Sequence, residues 1–518
     1  MKTSPFRTIL TLLIFTVLAA CSTETPTGTD PAPGVTAPSE ASAPPQSPVP
    51  GATLEATAPP AATIPSGPPP PTFTPLPTTV PAPFQGESIL GIELIGGNFG
   101  ERAGLASEAG AFWIRWNAIP WPDVEPNEGD RIWQALGTFD AQLQTLDLYD
   151  LKLITIVHGA PLWAQAEPGI QCGAVAEEKL AAFGNFMYDL VARYSQPPYN
   201  LKYWEIINEP DIDPSLVPPR NFYGCWGDLD DPFYGGGAYA QMLQAVYPRI
   251  KEADPEAQVL VGGLLLDCDP NNPPETAPGS GVPKYCDPAK FLEGILINGG
   301  GDYFDGVSFH AYDLYEPVSG YFGNPNWDNG HTLSGLIPVV VPKARFLKGV
   351  LAEYGYFNKY LINSETALLC GTDGNEAFCR TGQFERMKAD YVAMTNAGAL
   401  AEGLQGNIWF YLNGGWRRSG LTNNNGVPLD AFIAYQFSAK RLAGAVFWGQ
   451  ITEYEGVYGY KFRQGDKETW IMWSLDSLPH LVSVTSMPQA IYNVFGVPLN
   501  PTQSLEITTS PIYVDWQP

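Results

Sequence analysis

From Ile89 to Leu442, short apolar, β-rich runs alternate with amphipathic helical stretches, and this alternation restricts the fold more than any other feature of the chain. The runs begin near Ile89, Ala111, Leu151, Leu201, Gln258, Phe304, Tyr360 and Leu404. Helix candidates between or after them cover Trp133 to Tyr149, Glu177 to Tyr194, Gly237 to Ala253, Pro288 to Asn298, Pro342 to Tyr356, Gln383 to Ala399 and Leu429 to Leu442. Eight apolar runs with helical stretches between or after them predict an α/β fold, a (β/α)8 TIM barrel. A doubly wound open sheet is the alternative, but no Gly-rich phosphate loop follows the first strand, which weakens its nucleotide-binding versions. From about Ala445 short strands take over, such as Glu468 to Leu475 and Pro511 to Trp516, and these read as a small C-terminal β domain packed on the barrel.

The N-terminus carries different information. Lys2 and Arg7 precede an apolar stretch from Ile9 to Leu18 that ends in Leu18-Ala19-Ala20-Cys21. At about ten residues it is half the roughly twenty that a spanning helix needs, so it reads as an export signal. The small residues before the cysteine resemble the lipobox of bacterial lipoproteins, which implies removal of the signal and lipidation of Cys21. The alternative is an ordinary signal peptide cut nearby, with an incidental cysteine. Between Pro26 and Pro83 lie 19 of the chain's 51 prolines, with Thr, Ala and Ser between them and no Lys or Arg from 22 to 86. Such a composition cannot build a core and predicts a disordered Pro/Thr-rich stalk. In the extended proline helix, at about 3.1 Å per residue, it would hold a domain on the order of 100–190 Å from its anchor. The expected division is therefore signal and lipidation site over 1–21, stalk over 22–86, barrel over 87–444 and β domain over 445–518.

Seven cysteines less Cys21 leave six, and export makes pairing plausible. Cys172 and Cys225 follow the third and fourth strands, Cys268 and Cys286 the fifth, and Cys370 and Cys379 the seventh, so all six fall in βα loops. The three disulfides expected are those pairs, pinning loops on the face where barrel enzymes build their sites. No Cys-x2-Cys spacing suggests zinc. The formal net charge of −26 argues against nucleic acid or anionic lipid as a partner of the whole surface. With 14 Trp and 25 Tyr but only 16% charged residues, the composition suits an uncharged polar ligand such as a sugar.

The fourth strand reads Tyr203-Trp204-Glu205-Ile206-Ile207-Asn208-Glu209-Pro210, and its proline ends the strand where side chains emerge on the loop face. The seventh, Tyr360-Leu361-Ile362-Asn363-Ser364-Glu365-Thr366, delivers a second carboxylate to the same mouth from across the barrel. Hydrolysis of a glycoside with retention needs a protonated carboxyl at the leaving oxygen and an ionised one below the anomeric carbon, about 5–5.5 Å apart. Glu209 and Glu365 can supply both. Asn208-Glu209-Pro210 and the placement of Glu365 resemble the glycoside hydrolases of clan A over roughly 87–442. That resemblance implies Glu209 as acid/base, Glu365 as nucleophile and a preference for β linkages.

Other polar side chains fall at strand ends: Arg115 closes the second strand, His158 the third, and His310 and Tyr312 the sixth. In the resembling families such residues bind the sugar and hold the nucleophile ionised. Tyr312 is expected to donate to Glu365, Arg115 to lower its pKa, and Asn208 to bond the sugar's 2-hydroxyl. Glu205, two residues deeper than Glu209, is expected to be a structural carboxylate paired with a strand-end base, and Glu93 likewise. Trp409, ending the eighth strand, matches the tryptophan that floors the cleavage subsite in clan A, and Trp163 and Trp416 are the next stacking candidates. The sequence therefore predicts a surface-anchored retaining glycoside hydrolase that needs no metal or cofactor, acts on carbohydrate as a monomer and touches membrane only through its lipid. A glycan-binding protein without catalysis, or a transglycosylase on the same site, are the alternatives.

Overall fold

The computed structural model describes residues 88–95, 98–221, 223–274, 286–327 and 336–517. The export signal, Cys21 and the stalk lie outside the described residues. Among those described, no helix is long and apolar enough to cross a membrane.

Nine strands build the first sheet: β1 (Leu90–Glu93), β2 (Trp113–Pro120), β3 (Lys152–His158), β4 (Tyr203–Ile206), β5 (Gln258–Leu264), β6 (Gly306–Glu316), β7 (Tyr321–Gly323), β8 (Tyr360–Leu369) and β9 (Gly406–Trp409). All pair in parallel except β7, which folds back antiparallel onto the end of β6. β9 pairs with β1, and β5 with β6, closing an eight-stranded barrel. The barrel strands are apolar runs because both of their faces are covered; every residue of β3 after Lys152 is buried. The surrounding helices carry their apolar residues on one stripe. Leu180–Tyr194 buries Phe183, Phe186, Met187, Leu190, Val191 and Tyr194, a three- and four-residue spacing that faces the barrel.

The barrel interior is filled in layers. At its base Trp113, Ile154, Leu260, Ile362 and Ile408 form an apolar plug with Tyr203 and Tyr360 against it. Gly91 makes room for it, since a Cβ there would stand 2.4 Å from Ile408 Cδ1 and 2.6 Å from Trp113 Cβ. Toward the strand C-termini the next layer is polar, with Glu93, Arg115, Glu205, His310 and Glu365 all buried.

Eight further strands follow Leu442: β10 (Val446–Gln450), β11 (Val457–Gln464), β12 (Lys467–Ser474), β13 (His480–Ser483), β14 (Ala490–Asn493), β15 (Pro498–Leu499), β16 (Ser504–Ile507) and β17 (Ile512–Trp516). Six make an antiparallel sheet in the order β10-β11-β12-β17-β14-β15, while β13 pairs with β16. The two-residue period of a strand divides this sheet. Tyr458, Tyr460, Phe462, Ile471, Trp473 and Tyr513 join the core of the barrel, and Trp473 Nε1 donates to Leu336 O at 2.7 Å. Val457, Met472, Val514 and Trp516 form a separate small core with Val482, Leu505 and Ile507. The helix Gly382–Ala401 lies between barrel and sheet, which is why it is buried almost all round. Its Asp390 accepts from Ser510 at 2.7 Å on the sheet side.

The three disulfides are those expected: Cys172–Cys225, Cys268–Cys286 and Cys370–Cys379.

Candidate active site

β4 ends at Ile206, and the next three residues leave the strand with an unusual backbone. Ile207 has φ +64° and Glu209 φ +49°, on either side of Asn208. A β-branched residue in that region is strained, at a cost of order 1–3 kcal/mol, and such strain persists only where the surroundings impose it. Here Ile207 N donates to Val157 O at 2.9 Å and Glu209 N to Gly263 O at 3.1 Å. Two glycines admit the turn. A Cβ on Gly262 would meet Ile207 O at 1.6 Å, and one on Gly224 would meet Ile207 Cγ2 at 2.4 Å. The kink turns the Glu209 side chain toward the barrel axis.

Glu365 arrives differently. It is not the last residue of its strand, since β8 continues to Leu369. Phe309 pairs with Asn363 but His310 pairs with Glu365, so Ser364 is an extra residue on β8. This bulge shifts the alternation by one and aims Glu365 inward, where strict alternation from Ile362 would have pointed it outward.

His310 joins the two carboxylates. Its Nδ1 lies 2.8 Å from Glu209 Oε1 and its Nε2 3.3 Å from Glu365 Oε1. One carboxylate oxygen of each glutamate and a ring nitrogen of His310 all fall within 4.8 Å of one another. The imidazole fits because β5 carries Gly263 opposite it, where a Cβ would stand 2.2 Å from Nε2.

Arg115 is fully buried beneath this group. Its Nε and Nη2 donate to the two oxygens of Glu205 at 3.2 and 2.6 Å, Nη1 to Glu93 at 3.1 Å and to Glu365 at 2.5 Å, and Nη2 to Asn208 Oδ1 at 2.6 Å. Tyr312 donates its hydroxyl to the other oxygen of Glu365. Glu205 and Glu93 thus occupy the structural positions read from the sequence. Arg115, His310 and Tyr312 do not close their strands, however: β2 runs on to Pro120 through an irregularity between Trp116 and Ile119, and β6 runs on to Glu316.

One guanidinium faces three buried carboxylates, Glu93, Glu205 and Glu365, and Glu209 stands one imidazole further away. Burial, followed by the charges of Glu365 and Asp211, holds Glu209 well above the usual carboxylate range. Burial raises Glu365 too, but Arg115 and the Tyr312 hydroxyl oppose it. His310 is pushed well below its ordinary value by burial and then by Arg115 and Lys343, so its ring is neutral. The two glutamates sit in environments that drive their proton affinities apart: Glu209 keeps its proton more readily, while two donors hold the charge on Glu365.

The aromatic candidates fall in different places. Trp416 packs edge-on to Tyr312, with ring centroids 5.8 Å apart, beside the Glu365 hydroxyl donor. Its loop is held by Cys370 N donating to Arg417 O at 3.0 Å and by buried Lys388, whose ammonium donates to Arg418 O and Gly420 O at 3.0 and 2.9 Å. Trp409 is 1% exposed; its indole N–H donates to Ser419 O and its ring meets Tyr391. Trp163 lies in the loop after β3, packed on Trp121 and donating to Glu125 O. His158 ends β3, buried and pushed down to about 4 by that burial. The cluster therefore gathers Arg115, Asn208, Glu209, His310, Tyr312, Glu365 and Trp416, while the contacts of Trp409 and Trp163 lie elsewhere.

Sequence reading missed Gly263 and Asp211. The Gly262-Gly263 pair inside a strand was a usable signal of close approach. Asp211, two residues past Glu209, accepts Leu265 N and Leu266 N at 2.9 Å each and ties the Glu209 turn to the end of β5; burial pushes its pKa up to about 6. Glu209, His310 and Glu365 could by donor type hold a divalent cation. The Arg115 guanidinium, 2.5 Å from Glu365 and 3.4 Å from His310 Nε2, sets a fixed positive charge against the same atoms and disfavours one.

No protein-family model matches the sequence, and no curated protein matches it. Solved structures do share its fold. A family 39 glycoside hydrolase from the gut symbiont Bacteroides cellulosilyticus WH2 is similar over 83% of this chain and 81% of its own, at 17% identity and a TM-score of 0.60. A GH30 endoxylanase from Clostridium papyrosolvens C71 is similar over 85% of this chain and 99% of its own, at 10% identity and a TM-score of 0.52. A monomeric β-xylosidase from Caulobacter crescentus CB15 covers 84% of this chain with 97% of its own, at 14% identity and a TM-score of 0.50. At these identities the likeness is one of fold: a closed parallel eight-stranded barrel with an antiparallel sheet after it.

Proposed function

We propose that the protein is a retaining glycoside hydrolase acting on β-glycosidic bonds. The observation that carries the proposal is that carboxylate oxygens of Glu209 and Glu365 lie within 4.8 Å of each other, bridged by a neutral His310. Inverting enzymes need roughly 6.5–9.5 Å between the carboxyl groups, to admit a water on the far side of the sugar, so the close pair favours double displacement. The structural neighbours, two named as glycoside hydrolases or xylanases and one as a β-xylosidase, support the reaction class.

In the first step Glu365, ionised and held by Arg115 and Tyr312, attacks the anomeric carbon. Glu209 gives its proton to the departing oxygen as the glycosidic bond breaks. The product is a glycosyl ester on Glu365. Esterification removes the charge on Glu365, which is one of the causes holding Glu209 high, so the affinity of Glu209 for a proton falls when it must act as base. Glu209 then takes a proton from water, the water attacks the anomeric carbon, and Glu365 leaves as carboxylate. Asn208, its Oδ1 held by Arg115, presents its amide N–H to the 2-hydroxyl. We assign the stacking wall to Trp416 rather than to the sealed Trp409.

The wider reading is an exported protein, anchored through lipid on Cys21 and a stalk over 22–86, with a catalytic barrel over 87–444 and a β domain over 445–518, acting as a monomer on carbohydrate. Three disulfides support a compartment outside the cytoplasm. The test is a panel of aryl β-glycosides and neutral polysaccharides, with proton NMR of the first product. Release of the β-anomer, and loss of several orders of magnitude in turnover in Glu209→Gln and Glu365→Gln with the fold intact, are expected. Initial release of the α-anomer, or near wild-type turnover in either variant, overturns the proposal.

A further inference from the structure

The outer face of the C-terminal sheet carries a recess of about 500 Å³ that shares no residue with the barrel site. It arises from the strand period. On β12 and β17 alternate residues fill the small outer core; Trp470, midway along β12, is only partly buried against it, and Trp516, the last residue of β17, is 8% exposed, with ring centroids 4.8 Å apart and inclined at 54°. Tyr454 lines the recess beside them, and the exposed Thr485 and Ser486 after β13, with Gln517, supply hydroxyl and amide groups.

The Trp470 ring is fixed before any ligand arrives. Its Nε1 donates to Glu468 Oε1 at 2.7 Å, and the Lys461 ammonium stands 4.6 Å from its centroid. The Trp516 indole N–H is buried and has no partner among the described residues. A buried donor left unpaired costs roughly 1–3 kcal/mol and is uncommon in a packed core, so it invites an acceptor. The charge on the walls is nearly cancelled, because Arg463 pairs with Glu468 at 2.8 Å and leaves only Asp466. In a chain of net charge −26 this excludes a polyanion as the natural occupant.

We propose that this recess is a second carbohydrate site, which holds an uncharged oligosaccharide by stacking a pyranose face on the partly buried Trp470, with the edge of Trp516 beside it, and by bonding hydroxyls to Thr485, Ser486 and Gln517. The choice of ligand class rests on the proposed function; the recess itself does not. A site on a separate sheet, whose lining begins at Tyr454, beyond every residue of the barrel site in sequence, would keep the protein on a polymer while the barrel works on its ends or branches.

The test uses the full chain in affinity electrophoresis through gels containing xylan, mixed-linkage β-glucan or polygalacturonate. At least one neutral polysaccharide retards the wild type. Trp470→Ala, and Ser486→Trp, which fills the recess from an exposed position, each weaken that binding about tenfold or more. Both leave turnover of a small aryl glycoside within about twofold of wild type. Should Trp470→Ala lose its thermal transition, Ser486→Trp carries the test alone. Binding unaffected by Ser486→Trp, retention by polygalacturonate alone, or no retention by any neutral polymer overturns the inference. A failure of the proposed function shows instead as absence of turnover in the wild type, whatever the binding.

Discussion

Replacing Arg115 by lysine separates charge from geometry at the centre of the site. The guanidinium makes five hydrogen bonds to Glu205, Glu93, Glu365 and Asn208 from three nitrogens in one plane. An ammonium has three donors at a single point and cannot reach all four partners. Hydrogen bonds to charged groups contribute about 1.5–3 kcal/mol each. Losing the one to Glu365 therefore raises its pKa by about one to two units, at about 1.4 kcal/mol per unit. In the wild type, kcat/KM should rise with pH as Glu365 ionises and fall as Glu209 loses its proton. Both limbs should stand above the ordinary carboxylate range, because burial raises both groups. Arg115→Lys should move the acid limb up by those one to two units and the alkaline limb much less. The assay is kcat/KM against pH on an aryl glycoside, with thermal unfolding to verify the fold. A profile that superimposes on the wild type, lowered equally at every pH, would refute the claim that Arg115 keeps Glu365 ionised.

Tyr312→Phe removes the other donor to Glu365 and should lower kcat/KM by about 10- to 100-fold, with the acid limb again moved upward. Replacing Cys370 and Cys379 together by serine opens a loop with a sequence separation of 9 residues and should cost about 2–3 kcal/mol, read as a lower unfolding midpoint. Because Cys370 N holds Arg417 O beside Trp416, the same variant should raise KM more than it lowers kcat.

The barrel was legible because its strands are buried on both faces and its helices on one, so each announces itself as a local period. The strands start within two residues of where the apolar runs do. The helix Phe99–Glu108, capped by Asn98, was not anticipated: only Ala103 and Ala106 are buried in it, too small an apolar stripe to stand out. Glu209 and Glu365 could be picked from the strands that bear them. The devices that aim them could not, since a bulge at Ser364 and left-handed turns at Ile207 and Glu209 depend on partners from other strands. The same holds for the tryptophans. Trp409 and Trp416 are seven positions apart, and only the fold of the loop between them shows that Trp416 is the one beside Tyr312.

In the proposed mechanism Glu365 forms the covalent bond and Glu209 moves the proton. This assignment is tested most directly by trapping the intermediate. A 2-deoxy-2-fluoro aryl β-glycoside of the best sugar on the panel slows both steps by destabilising the oxocarbenium-like transition state, while its good leaving group lets the ester accumulate. Peptide mass spectrometry should then find one glycosyl group on Glu365 and none on Glu209. A label on Glu209, on any other side chain, or no label from a compound that is slowly turned over, would contradict the account.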